Sequence, residues 1–167
     1  MTVPLRERWF EDYAEGEVFE FGDYLVTEEE IVAFARRYDP QPFHLDHAAA
    51  AASHFGGLVS SGWMTCSIMM RLLCDHYISP RSSMGSPGID QVRWLKPVRP
   101  GDRLRARVRV VQTRASQSRP DRGIVNAQQE LLNQHGEVVM TLSGTGFYLR
   151  RPQAEPAAPL QAEPAAP

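Results

Sequence analysis

Between Trp63 and Cys74 the chain runs through Met64, Ile68, Met69, Met70, Leu72 and Leu73, with only Thr65, Ser67 and Arg71 as marked interruptions. Wound at a helical period, these residues surround the axis on nearly all sides, so the helix has to be enclosed. The run falls well short of a bilayer's thickness, which leaves a protein interior as its setting. The second half of the chain supplies a wrapping element. Leu104, Ala106, Val108 and Val110 alternate with Arg105, Arg107 and Arg109, giving a strand with one buried and one solvated face. Ile89 to Val98 reads as another strand, and Ile124 to Leu132 with Glu137 to Leu149 as a hairpin about Asn133-Gln134-His135-Gly136. Glu17 to Phe21 alternates as well, with Gly22-Asp23 as a bend and Tyr24 to Val26 as its continuation. These elements predict an α+β domain in which a curved antiparallel sheet wraps one long central helix.

A chain of 167 residues holds one such domain, expected over 1–151. At 152–167 follows a Pro/Ala-rich stretch, expected to be a flexible tail, in which Gln-Ala-Glu-Pro-Ala-Ala-Pro occurs twice. A net charge of −2 with 23% charged residues gives no basic surface for nucleic acid or membrane, so neither is an expected partner. No basic leader precedes an apolar run, and the expected location is the cytoplasm. Cys66 and Cys74 stand about 12 Å apart along the helix and cannot join in an intramolecular disulfide.

The first half of the chain carries the chemistry. Thr27 and Glu30 have the spacing of a capping box, and Ile31, Phe34 and Ala35 lie on one face of the helix they start. That helix ends at Asp39-Pro40-Gln41-Pro42-Phe43-His44-Leu45-Asp46, a connector stiffened by two prolines that contains an acid and a base. Asp46 is placed to cap a short helix from His47 to Ser53, stopped by Gly56-Gly57. Ser60 or Ser61 would cap the central helix, leaving the amides of Gly62 and Trp63 at its positive end. Asp39 alone could close a helix, and His44 alone could be a packed core residue; their spacing ahead of a capped apolar helix points to general acid–base work. Fully extended, the six residues from Asp39 to His44 would separate the pair by roughly 16 Å, so the connector has to curl. His44, Asp46 and His47 lack a further ligand at metal spacing, and no metal is expected. Ser60-Ser61-Gly62 is not a nucleophile elbow.

Asp39-Pro40-Gln41-Pro42-Phe43-His44-Leu45-Asp46, the turn at Gly62 and Arg93-Trp94-Leu95-Lys96-Pro97-Val98-Arg99-Pro100-Gly101-Asp102 resemble the MaoC-like hydratase and dehydratase family, whose signature is Asp-x-Asn-Pro-x-His. The resemblance covers roughly residues 10 to 150. It implies a hot-dog fold and reversible addition of water to a trans-2-enoyl thioester of coenzyme A, giving an (R)-3-hydroxyacyl product. On this reading Asp39 and His44 are the acid–base pair and the Gly62 amide polarises the thioester carbonyl. Gln41, Phe43, Ser61 and Trp63 would contact substrate, and Met64 would join Phe43 and Trp63 along the acyl group. Coenzyme A enters as part of the substrate, so no cofactor is implied, and relatives suggest a homodimer. Gln41 departs from the family's Asn, and Ser61 stands where relatives often have His. A hot-dog thioesterase and a non-catalytic acyl-CoA binding module are the alternatives. Arg114, Arg119 and Arg122, between Thr113 and Gly123, could meet coenzyme A phosphates or form a solvated basic loop.

Overall fold

The computed structural model describes residues 3–152, so the expected tail lies outside the described residues from 153 onward. Strand β1 (Val18–Leu25) leads into helix α1 (Glu28–Tyr38) and the short α2 (His47–Ala52). Central helix α3 (Gly62–His76) precedes strands β2 (Ile89–Trp94), β3 (Arg103–Ala115), β4 (Arg122–Leu132) and β5 (Val138–Leu149). All strand pairs are antiparallel, in the order β1-β3-β4-β5-β2. The sheet curls about α3, giving the hot-dog architecture expected from the sequence.

Alternation selects the inner face. Leu104, Ala106, Val108 and Val110 of β3 are buried, opposite Leu131 and Ala127 of β4 and then Met140 and Leu142 of β5. From α3, Met64, Ile68, Met69, Leu72 and Leu73 fill the space inside this curve. Burying side chains of this size contributes about 1.5–3 kcal/mol each, which makes the helix–sheet contact the main source of stability. Register shifts bend the sheet at four places: in β1 between Phe21 and Tyr24, in β2 between Ile89 and Gln91, in β3 between Val110 and Gln112, and in β4 between Leu131 and Leu132. At the first of them Gly22 has φ +84°, and a Cβ there would come within 2.5 Å of Leu72, so the bend also lets β1 approach the helix.

The expected enclosure of α3 is only half realised. Trp63, Met70 and Cys74 are exposed along one side, because the sheet curves round the other. Strand β2 is also shorter than expected: it stops at Trp94, and residues 95–102 cross the helix start as an irregular segment. That segment is pinned where Val98 O accepts from Ser60 N (2.8 Å), Asp102 O accepts from Val26 N and Gly101 N donates to Val26 O.

The residues before β1 close one end of the curl. Arg8 is buried, paired with Glu17 at 2.8 Å and lying over the rings of Tyr13 and Phe19. Its carbonyl accepts from Ser82 Oγ, Phe10 packs flat on Gly123, and Glu11 and Asp12 pair with Arg150 and Arg151. No helix among the described residues is long and apolar enough to cross a membrane.

Candidate active site

The capping box forms as its spacing demands: Thr27 Oγ1 accepts from Glu30 N, and the Glu30 carboxylate reaches back to Thr27 N. Ile31 and Ala35 bury one face of α1, which carries Asp39 to the helix C-cap. After Pro40, a 3₁₀ turn over Pro42–His44 curls the connector, and the acid and base converge. His44 Nε2 lies 3.3 Å from Asp39 Oδ2.

The surroundings fix the chemical state of both groups. His44 is 5% exposed, and its Nδ1 lies 2.7 Å from Val59 O. A carbonyl only accepts, so Nδ1 carries a proton and Nε2 is turned to Asp39. Asp39 is held from both sides: Gln41 Nε2 donates to Oδ1 and the Ser61 hydroxyl donates to Oδ2, each at 2.7 Å. The Ser61 hydrogen bond, aided by Gln41 and the neighbouring His44, holds the Asp39 carboxyl below its ordinary value despite the opposing effect of partial burial. Asp39 is therefore a carboxylate at neutral pH.

Ser61 also caps α3, accepting from Trp63 N at 3.2 Å. One hydroxyl thus ties the acid to the first turn of the central helix. Gly62 opens that turn, where backbone amides lack helical partners and the macrodipole is positive. Trp94 covers it. The indole Nε1 donates to Gly62 O at 2.9 Å, the ring meets Trp63 edge-on at 5.6 Å, and a Cβ at Gly62 would come within 2.6 Å of the ring. The glycine is required by this indole, whatever else approaches.

Asp39, His44, Gly62, Phe43, Trp63 and Trp94 all line one cavity of about 500 Å³, roofed by residues 95–98. Phe43 stands edge-on to His44 at 4.5 Å and packs on Phe55 at 5.2 Å. The residues expected to meet substrate thus divide: Gln41, Phe43 and Trp63 form cavity wall, with Gln41 also holding Asp39, whereas Ser61 holds Asp39 without lining the cavity. Met64 faces the core. Sequence reasoning missed Val59, which acts through its carbonyl and leaves no side-chain signal. It also gave no role to Trp94, although the Arg93–Asp102 stretch contains it.

The other sequence candidates lie elsewhere. Asp46 accepts from Ala49 N as the cap of α2, and His47 pairs with Glu28 at 2.7 Å. Among the described residues no group of three or more His, Cys, Asp or Glu is placed to hold a metal. Trp94 pairs with Met140, while Arg114 pairs with Ile124 and that in turn with Phe147. Arg114 thus stands seven residues along the sheet from the site, about 23 Å, with Arg119 and Arg122 near the same end. Arg122 is paired with Asp121.

A carboxylate and an imidazole facing one spot, beside the Gly62 amide at a helix start, can move protons to and from a carbonyl-activated carbon. Residues 12–130 match the family model of the MaoC like domain. A 3-hydroxyacyl-thioester dehydratase Z from Mycobacterium tuberculosis is 34% identical over 96 residues, covering 56% of this chain and 64% of that protein. The crystal structure of a MaoC-like dehydratase from Rhodospirillum rubrum superposes with a TM-score of 0.82 at 43% identity, covering 87% of this chain and 99% of the other. A Mycobacterium tuberculosis protein with a double hot-dog fold gives a TM-score of 0.73 at 17% identity, covering 92% of this chain and 48% of its own, a likeness of fold alone.

Proposed function

Since the chain belongs to the MaoC-like domain family, we propose that it is a hydro-lyase that adds water reversibly to a trans-2-enoyl-CoA thioester, giving the 3-hydroxyacyl-CoA. The observation that carries this reading is the approach of His44 Nε2 to Asp39 Oδ2 at 3.3 Å within a cavity that opens onto the helix start at Gly62.

A water molecule bonded to both Nε2 and Oδ2 is held for attack on C3. As its oxygen adds, the pair takes one of its protons and C2 receives a proton, so the product gains the elements of one water. The two groups act as a unit, because a proton shared across a short contact belongs to the pair. Negative charge grows on the thioester oxygen during attack, and the Gly62 amide at the positive end of α3 stabilises it, a contribution of about 3 kcal/mol for a donor of this kind. A second cavity, lined along α3 by Cys66, Met69, Met70 and Leu73, receives the acyl chain.

A second copy of the chain completes the assembly in this reading. The free edge of β2 exposes Ile89 and Trp94, followed by the exposed Leu95, beside the open side of α3, where Trp63, Met70 and Cys74 are uncovered. An unpaired edge strand next to an apolar helix face is self-complementary about a two-fold axis and unfavourable in water.

The test is loss of enoyl-thioester absorbance with a panel of trans-2-enoyl-CoAs, alongside Asp39→Asn and His44→Ala. Each variant is expected to lose about 10²- to 10⁴-fold in kcat/KM while remaining folded. Thiol release from saturated acyl-CoA without hydration would replace this reading with a thioesterase; tight acyl-CoA binding with no turnover would replace it with a binding module.

A further inference from the structure

Nearly every residue on the concave face of the sheet is apolar or glycine, and Gln129 breaks the pattern. It is flanked along β4 by the buried Ala127 and Leu131 and across the sheet by Val108 and Leu142. Its Oε1 is enclosed and has no hydrogen-bond partner among the described residues. The hydroxyl of Tyr77, in a side chain 3% exposed, is likewise enclosed and unpartnered. Both residues line the second cavity, of about 400 Å³, whose other walls include Met69, Leu73, Val125 and Leu142. None of the residues lining it is charged.

Enclosed polar atoms without partners are rare in folded proteins, and two of them at one apolar cavity point to something that the cavity receives. Burial pushes the Tyr77 phenol well above its ordinary range, so it stays protonated and can donate. Gln129 Oε1 accepts. The nearest guanidinium, Arg8, is already paired with Glu17 and lines no part of the cavity, so a carboxylate would find no free cation there, whereas an uncharged group that both donates and accepts matches the pair.

Resting on the enoyl-thioester reading, we infer that Gln129 and Tyr77 are specificity-determining residues, selecting an acyl chain that carries an uncharged hydrogen-bonding substituent, such as a hydroxyl or carboxamide, over a plain alkyl chain. Its position follows from register. Gln129 pairs with Leu142, two residues along β5 from the Met140 that pairs with Trp94, about 7 Å. The substituent therefore sits several carbons beyond the reacting double bond.

The experiment compares trans-2-heptenoyl-CoA, its 6-hydroxy derivative and an ω-carboxylate analogue in the hydration assay, with binding of the matching saturated thioesters measured in parallel by calorimetry. The full chain, Gln129→Met and Tyr77→Phe are used, each checked for unchanged melting. The wild type should favour the hydroxylated chain by about tenfold in both assays, as expected for one or two buried hydrogen bonds. Gln129→Met should reverse that preference and Tyr77→Phe should weaken it. Hydration with equal or better use of the plain chain, preference for the carboxylate, or a ratio untouched by Gln129→Met would overturn the inference while leaving the hydratase reading intact. If nothing is hydrated but the hydroxylated thioester still binds more tightly in a Gln129-dependent way, the reaction is wrong and the recognition stands. Absence of any preference in binding as well sinks the inference together with the reaction.

Discussion

Ser61 is fully buried and serves two masters, donating to Asp39 Oδ2 at 2.7 Å and accepting from Trp63 N at 3.2 Å. Two substitutions separate the roles. Ser61→Ala removes both bonds, while Ser61→Gly removes the donor to Asp39 but keeps a residue that helices accept almost as well as serine at the N-cap. A hydrogen bond to a charged group is worth about 1.5–3 kcal/mol, and Asp39, at 16% side-chain exposure, places it toward the lower end. Loss of the cap adds about 1 kcal/mol. Near pH 7 the glycine variant should thus be less stable by about 1.5–2 kcal/mol and the alanine variant by about 2.5–3 kcal/mol. Both stay within the stability of an ordinary domain and remain folded. The pH dependence then distinguishes the two terms. Because the folded-state pKa of Asp39 is depressed, its contribution is fully present above the unfolded carboxylate value, near 3.9, and is lost as pH falls through the folded value. Urea unfolding followed by circular dichroism at neutral pH and at several points below 4 should show the wild-type-to-glycine gap closing in acid while the glycine-to-alanine gap persists. Equal stability of the two variants, or a wild-type-to-glycine gap indifferent to pH, would refute the dual role.

Two further outcomes follow from the packing. Gly62→Ala should destabilise by about 1–3 kcal/mol through overpacking against the indole, and Trp94→Leu should restore most of that loss in the double variant, as read by thermal unfolding in a double-mutant cycle; a purely additive cycle would show that the contact is not the reason for the glycine. Ile89→Lys with Leu95→Lys places one charge on the β2 edge and one just past its end and should convert the proposed dimer to monomer in size-exclusion chromatography with light scattering; a wild type that is monomeric would remove the proposed pairing.

Local chemistry made much of this legible in the sequence. Thr27 with Glu30, Asp46 and a serine before Gly62 are caps because their oxygens have orphan amides to satisfy, and all three act as expected. The alternation of β3 named its buried face. Position within the sheet was harder to read. The Thr113 to Gly123 arginines could be phosphate ligands or a solvated loop, and only the strand register shows how far along the sheet from the acid–base pair they stand. The apolar girdle of α3 was visible, but periodicity reports that a surface avoids water without saying whether this chain or a second copy covers it. Gln41 and Ser61 looked like departures from a motif; three-dimensional placement gives both a common task, hydrogen bonding to Asp39. Trp94 was out of reach because it contacts Gly62 from 32 residues away.

The closure of the curl by residues 8–12 has a consequence for synthesis. Arg8 meets Ser82, Phe10 lies on Gly123, and Glu11 and Asp12 pair with Arg150 and Arg151, up to 140 positions later. On the ribosome these early residues emerge long before their partners exist, so the buried guanidinium and its aromatic neighbours wait in water while the helices and most of the sheet are made. A late step of folding is then the docking of this early segment onto strands made long after it, and contacts of such sequence separation make that step slow relative to local helix formation.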